Sequence, residues 1–416
     1  MTNNLTPPGE LTLAELGINP ANLRTDFPNR EKRLQYRAVV NWLTDYKPKS
    51  DAPNIEKVRG YLEAFHHLCE VEDWKKATTI FLTCLNTPTN EELHNQLNTW
   101  GYYQEQINLY NKLIGKLNSL LDLICLGSLV NVYNNLGNYS QAMKYAQHSL
   151  NIASKIGDRL GEAKALGNMG NVYYFMGNYP QSLKKYEKQL FLAYQVENNL
   201  EVGNALGNLG NLCEKLGFYQ EAIKYQMQSL ALARKIGDIH GEGKALGSLA
   251  NIYFHLGKYV KALKYYQLRF SIAVKISDRE GEANALSGLG NAHNALGNSV
   301  QGMNYLQQEL NIRYELNDLP GAAGVMCNLG NLCIRITKYS EAREYLQKSL
   351  RIFKMINSLY GEAKVLWNLA ILYVNSGDRT LALEYCDRAL SIATELGSPL
   401  AKQCQELKEK LLSLEV

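Results

Sequence analysis

The sequence predicts an all-α chain, an α-solenoid of antiparallel helix pairs, and three observations carry that expectation. The first is a forty-residue period from about Leu120 to Gly397. Asn131, Asn171, Asn211, Asn251, Asn291 and Asn331 fall in register, as do Gly137, Gly177, Gly217, Gly257 and Gly297, with no insertion. Self-similarity at a fixed period of this size marks a stacked repeat. The second is spacing within the unit: Leu166, Met169, Gly170 and Tyr173 recur at i, i+3, i+4 and i+7, and Leu183, Tyr186, Leu190 and Ala193 continue helically after Gly177-Asn178. The third is punctuation. A glycine at the turn takes the positive φ that ends a helix, while Asp158 and Asp238 are placed to cap the next one, with Glu162 and Glu242 favourable in its first turn.

Taken in order, residues 1–28 hold four prolines and no periodicity, which reads as a flexible N-terminal arm. Residues 29–118 read as an N-terminal helical region. A first helix over Arg30–Tyr46 precedes two degenerate pairs: EKVRGYLEAFHHLCEVEDW with KKATTIFLTCLN, and EELHNQLNTWGYY with QEQINLYNKLIGKLN. Trp74 and Tyr103 stand there where later units have Tyr139 and Tyr179. Irregular end units suit a solenoid, whose last unit covers a face that has no neighbour. Residues 119–397 hold seven regular units of two helices each, with no strand expected. Ser398-Pro399 then opens a C-terminal capping helix over 398–416.

The 416 residues are 46% hydrophobic, ample for a continuous core, and a net charge of +4 is too mild to argue for nucleic acid. Eight cysteines without paired spacing suit a reducing compartment. MTNNLTPPGE lacks a signal-peptide pattern, and the most apolar run, LLDLICLGSLV, is too short to cross a bilayer. A cytoplasmic protein with no membrane contact is the expectation. Gly170, Gly210, Gly290 and Gly330 lie on the apolar face of first helices, opposite alanines such as Ala222 and Ala342. An interior helical glycine costs about 1 kcal/mol against alanine, so its recurrence implies backbones too close to admit a side chain.

The run LGN-L/M-GN-x-Y-x-x-L-G-x-Y-x-x-A (Leu209, Gly210, Tyr219, Ala222) resembles the tetratricopeptide repeat. The forty-residue variant with IGDR-x-GEA looks like arrays in Pins-type polarity adaptors and in bacterial, especially cyanobacterial, regulators. The likeness is close over 120–397 and weak over 53–118, with Ser299, Thr337 and Ile371 as local departures. It implies a right-handed superhelix whose first helices line a concave groove, and a scaffold that binds protein or peptide.

On a helical wheel, the side of each first helix turned from the core carries asparagine and cations. The candidate peptide-binding residues are Lys164, Asn168 and Asn171; Asn204, Asn208, Asn211 and Lys215; Lys244 and Asn251; Asn291; Asn328, Asn331 and Arg335; and Lys364, Trp367 and Asn368. No carboxylate occupies these positions. Asparagine is roughly 0.5 kcal/mol worse than alanine in a helix, so its repetition suggests a task. A carboxamide both donates and accepts, which fits an extended peptide backbone, and the cations meet acidic side chains or a C-terminal carboxylate. The plainer alternative is that the column from Asn131 to Asn331 bonds neighbouring helices together. Gly167, Gly207 and Gly247 leave room beside the stripe for a ligand backbone, and Trp367 either anchors an apolar group or covers the end of the core.

His66-His67-x-Cys69 lacks a second pair of metal ligands, His293 takes a core tyrosine's place, and no glycine motif follows a strand or carries a P-loop lysine. No nucleophile stands with a base. The reading is a non-enzymatic scaffold with no cofactor or metal, taking an extended, acidic peptide or partner helix; nucleic acid and small-molecule substrates are disfavoured. The rival reading is a peptide-responsive sensor of bacterial signalling whose N-terminal region contacts an effector.

Overall fold

The computed structural model describes residues 5–49, 51–87 and 89–413, and divides into two compact units, 1–125 and 126–416. The first holds α1 (Gly9–Glu15), a 3-10 turn (Pro20–Asn22), α2 (Leu23–Asp26), α3 (Arg30–Thr44), α4 (Asn54–Glu70), α5 (Trp74–Phe81), α6 (Leu93–Thr99), α7 (Tyr103–Leu113) and the start of α8 (Ser119–Asn135). The flexible arm expected over residues 1–28 is corrected from Gly9 onward; residues 1–4 lie outside the described residues. Leu13, Leu16, Ile18 and Leu23 are buried. Gly9 lets α1 sit on the end of α3, because a Cβ there would collide with the Leu43 carbonyl. Trp74 and Tyr103 each open the second helix of a degenerate pair, the place expected from Tyr139 and Tyr179.

The second unit continues through α9 (Tyr139–Ile156), α10 (Arg159–Phe175), α11 (Tyr179–Gln195), α12 (Asn199–Lys215), α13 (Tyr219–Ile236), α14 (Ile239–His255) and α15 (Tyr259–Lys275). It ends with α16 (Arg279–Ala295), α17 (Ser299–Glu315), α18 (Leu319–Arg335), α19 (Tyr339–Met355), α20 (Leu359–Ser376), α21 (Arg379–Glu395) and α22 (Leu400–Ser413). From α8 to α21 the helices pack as seven consecutive pairs, and no strand occurs among the described residues. The solenoid is therefore all-helical, as expected.

Local chemistry explains the pairs. Asp158, Asp238, Asp278 and Asp318 cap first helices by accepting from the N–H of Gly161, Gly241, Gly281 and Gly321, at 2.7–2.9 Å. Gly177 closes α10 with φ +74°. Inside the pairs the small residues are needed. A Cβ on Gly170 would enter the Tyr186 ring, and one on Gly302 would lie 2.8 Å from the Gly290 carbonyl oxygen. Tyrosines and one histidine that are buried or half-buried stack in register, Tyr133 on Tyr145, Tyr253 on Tyr265, His293 on Tyr305 and Tyr373 on Tyr385, with centroids 5.3–5.4 Å apart. Leu183, expected on the packed side of α11, is exposed instead.

Two features set the curvature of this unit. First helices touch first helices, α10 against α12, α12 against α14, α14 against α16 and α18 against α20, whereas second helices make no comparable contact with one another. The row of first helices is the tighter one, and so the inner one. The ribbon also comes round far enough to meet itself. Ser358 Oγ donates to the Asn135 carbonyl at 3.2 Å, and the turn at Gly137 lies against Leu396 and Tyr360, while Gly177 lies against Pro399.

Candidate functional site

The sequence-derived stripe lies on the open side of the inner row. Lys164, Asn204, Asn211, Lys215, Lys244, Asn251, Arg335 and Lys364 are exposed, while Asn168, Asn171, Asn208, Asn291, Asn328 and Asn331 are half-buried. Lys164, Lys244 and Lys364 recur in one helical register with no carboxylate partner among the described residues.

The asparagines divide into two columns with different attachments. Asn171, Asn211 and Asn251 each accept through Oδ1 from the second helix of their own pair: from Tyr186 Oη at 2.7 Å, Gln226 Nε2 at 2.8 Å and Tyr266 Oη at 2.5 Å. The amide is thereby oriented with its Nδ2 uncommitted. Asn131, Asn291 and Asn331 receive no such bond, because Ala146, Leu306 and Leu346 occupy the matching places. The other column lies at the seams between units. Asn208 Nδ2 donates to Gln189 Oε1 of the preceding pair at 3.3 Å, and Asn368, which is buried, donates to Cys327 Sγ at 2.8 Å. Asn368 is therefore a structural seam residue. Trp367 is half-buried against the core of the last pairs and covers its end.

The space over two of the three flanking glycines is filled. A Cβ on Gly167 would lie 2.7 Å from Gln189 Nε2, and one on Gly247 would lie 2.5 Å from Arg269 Nη1. Gly167 and Gly247 admit long polar side chains from the second helix of the same pair, which corrects the expectation of room for a ligand backbone at these two, whereas a Cβ on Gly207 would meet only Ser229 Oγ, at 3.9 Å. Where the first-helix residue is larger the partner differs in kind: Ser287 stands opposite Glu309 and Trp367 opposite Ala389.

That inner layer brings carboxylates and guanidiniums close to the stripe. Asn204 donates to Glu201, whose other oxygen accepts from Gln189. His255 stands 3.4 Å from Glu214. Burial pushes the Glu214 carboxyl up to about 7 and draws His255 downward, with Lys215 adding to the second effect. Further along, Arg313 donates to Asp318 at 2.8 Å and to Asn284 at 2.5 Å, and stands 3.6 Å from Glu309. Glu309 is only 3% exposed, and desolvation raises its carboxyl to about 7. One buried guanidinium thus serves two carboxylates, and the nearer, Asp318, holds it. Sequence reasoning missed this layer; the signal for it was the change from glycine at 167, 207 and 247 to Ser287, Cys327 and Trp367 in the later units.

Among the described residues no group of three or more His, Cys, Asp or Glu is placed to hold a metal ion, and no helix is long and apolar enough to cross a membrane.

The tetratricopeptide repeat model matches residues 123–190, 201–275, 241–315, 281–355 and 366–400, more than half of the chain. The chain is a tetratricopeptide repeat protein. No curated protein matches this repeat protein by sequence. Its fold is similar to that of a Rap protein complexed with competence and sporulation factor, at TM-score 0.56 and 13% identity over 82% of this chain and 99% of that one. It is similar also to the Rap conjugation gene regulator of the plasmid pLS20 in complex with the Phr* peptide, at 0.55 and 16% over 82% and 95%. Aspartyl phosphate phosphatase F from Bacillus subtilis matches at 0.52 and 14% over 92% and 93%. These likenesses concern the fold.

Proposed function

We propose that this tetratricopeptide repeat protein is a non-enzymatic, cytoplasmic interaction module whose inner face binds an extended, acidic peptide or partner helix. The observation that carries the reading is the shared register of exposed Lys164, Lys244 and Lys364 on the inner helices α10, α14 and α20, along a stripe whose asparagines at 171 and 211 already have Oδ1 held. Uncommitted Nδ2 donors at 171, 211 and 251 suit the carbonyls of an extended backbone, and the lysines suit its acidic side chains. Charge reversal by K164E, K244E and K364E together is expected to weaken binding of fluorescent acidic peptides at least about tenfold, with the thermal unfolding transition unchanged. Unchanged binding would move the site elsewhere.

A second reading is a peptide-responsive regulator in which residues 1–118 contact an effector. It is supported by the contact of Ser358 with Asn135, which ties the first regular pair to the last, and by the likeness to Rap proteins solved with peptides. X-ray scattering that shows compaction on peptide addition favours it over a static scaffold; an unchanged radius of gyration removes it.

A further inference from the structure

The outer row of second helices carries a cleft that the repeat itself does not require. A cavity of about 820 Å³ opens between α13 and α15. Leu230 and Leu246 form its buried floor, and Met227, Val260, Leu268 and Leu296 line it while remaining exposed.

The repeats supply an internal control, because each unit solves the same packing problem. Forty-residue steps from Met227 reach Gln147, Glu187, Gln267, Gln307, Gln347 and Asp387, all polar. The same steps from Leu268 reach His148, Lys188, Gln228, Gln308, Lys348 and Arg388. Packing therefore accepts a polar residue at either place. Yet in this one cleft both are large and apolar, with Met227 46% and Leu268 50% exposed, and Val260 beside them is 64% exposed. Departures from the repeat that converge on one recess, at exposed positions, are what a docking surface leaves in a sequence.

Charge selects the occupant. The cleft is edged by Arg234, Lys258, Lys261 and Lys264, with no carboxylate in its lining. Arg234 is paired with Glu242 at 2.7 Å, and Lys261 lies 4.1 Å from the Tyr253 ring centroid. Lys258 and Lys264 have no carboxylate partner among the described residues. An extended segment laid on this floor would leave backbone N–H groups against apolar side chains, whereas a helix satisfies its own. Side chains from both α13 and α15 line the furrow, and a helix laid along it meets knobs from either side. A second copy of the same face would bring like charges together.

We infer that the α13–α15 cleft is a second docking site, on the wall opposite the peptide-binding stripe, for an amphipathic partner helix with an apolar face and acidic flanks. The probe is a labelled peptide of about five helical turns with leucines at i, i+3, i+4 and i+7 and glutamates beside them, alongside a lysine-flanked twin. Wild-type protein is expected to bind the acidic peptide at least about tenfold more tightly than the twin. The double variant M227Q/L268Q, which installs glutamine already present in other units, is expected to lose about tenfold or more in affinity with unchanged helicity. K164E/K244E/K364E is expected to retain this binding, so failure of the inner-face reading and failure of this one are distinguishable. The inference is overturned if wild-type protein fails to bind the acidic peptide, if the double variant binds it equally well, or if sedimentation shows this face self-associating. It is also overturned if phosphatidylserine vesicles or single-stranded DNA bind in a way that M227Q/L268Q abolishes while peptide does not.

Discussion

The buried Glu309 makes the stability of the α16–α17 pair depend on pH, with a sign and size that follow from its surroundings. Desolvation raises this carboxyl from 4.5 to about 7, and Arg313, drawn to Asp318 at 2.8 Å, offsets that only in part. A folded-state value above the unfolded one means that the folded chain keeps a proton which the unfolded chain releases. The stabilisation is present in full below pH 4.5 and is lost as pH rises to about 7. At 1.36 kcal/mol per unit, the 2.5 units between 4.5 and 7 correspond to about 3 kcal/mol. Glu309→Gln keeps the shape and removes the titration. The variant is expected to match wild type near pH 4.5 and to exceed it by about 3 kcal/mol at pH 8. Because a repeat array need not unfold in one step, the suitable assay is hydrogen exchange of amides in α16 and α17 across that pH range. Glu214, raised for the same reason, contributes a pH dependence common to both proteins, which the comparison subtracts. Identical profiles for wild type and variant would refute the reasoning.

Three further substitutions test the packing. Thr337 holds φ +60° at an exposed turn where other units have glycine, so Thr337→Gly is expected to stabilise α18–α19 by about 1 kcal/mol in urea denaturation. Gly247→Ala is expected to destabilise its pair by about 1–3 kcal/mol, since the new methyl displaces the guanidinium of Arg269 from its bond to the Gly243 carbonyl; a neutral result would show that this layer yields freely. Tyr186→Phe removes the hydroxyl that holds Asn171 and is expected to cost about 1 kcal/mol by the same measurement.

Much of the fold was legible because a repeat states its rules several times over. The capping role of Asp158, the turn at Gly177 and the close approach at Gly170 each follow from local chemistry that needs no partner from afar. The arm was misread for the opposite reason: α1 is held by its seat on α3 and by the bond between Thr12 and Tyr61, contacts that periodicity does not reveal. The exposed face of the first helices was visible on a helical wheel, but the attachments of its asparagines were not. Asn171 and Asn368 look alike in sequence, yet one is aligned by a tyrosine within its pair and the other is buried against a thiol of the preceding unit. The inner layer of Gln189, Arg269 and Glu309 escaped notice because each of its side chains is placed by a small residue, Gly167, Gly247 or Ser287, on the other helix of the pair, a relation that no pattern on either helix alone displays.

The contact of Ser358 with the Asn135 carbonyl, beside Leu396 and Tyr360 on the Gly137 turn, closes an open ribbon into a clasped loop. Any guest that widens the bore must part that clasp, since the arc lengthens while the hydroxyl's reach does not. If the proposed inner-face binding widens the bore, a pair of dyes at positions 138 and 357 would register it from outside.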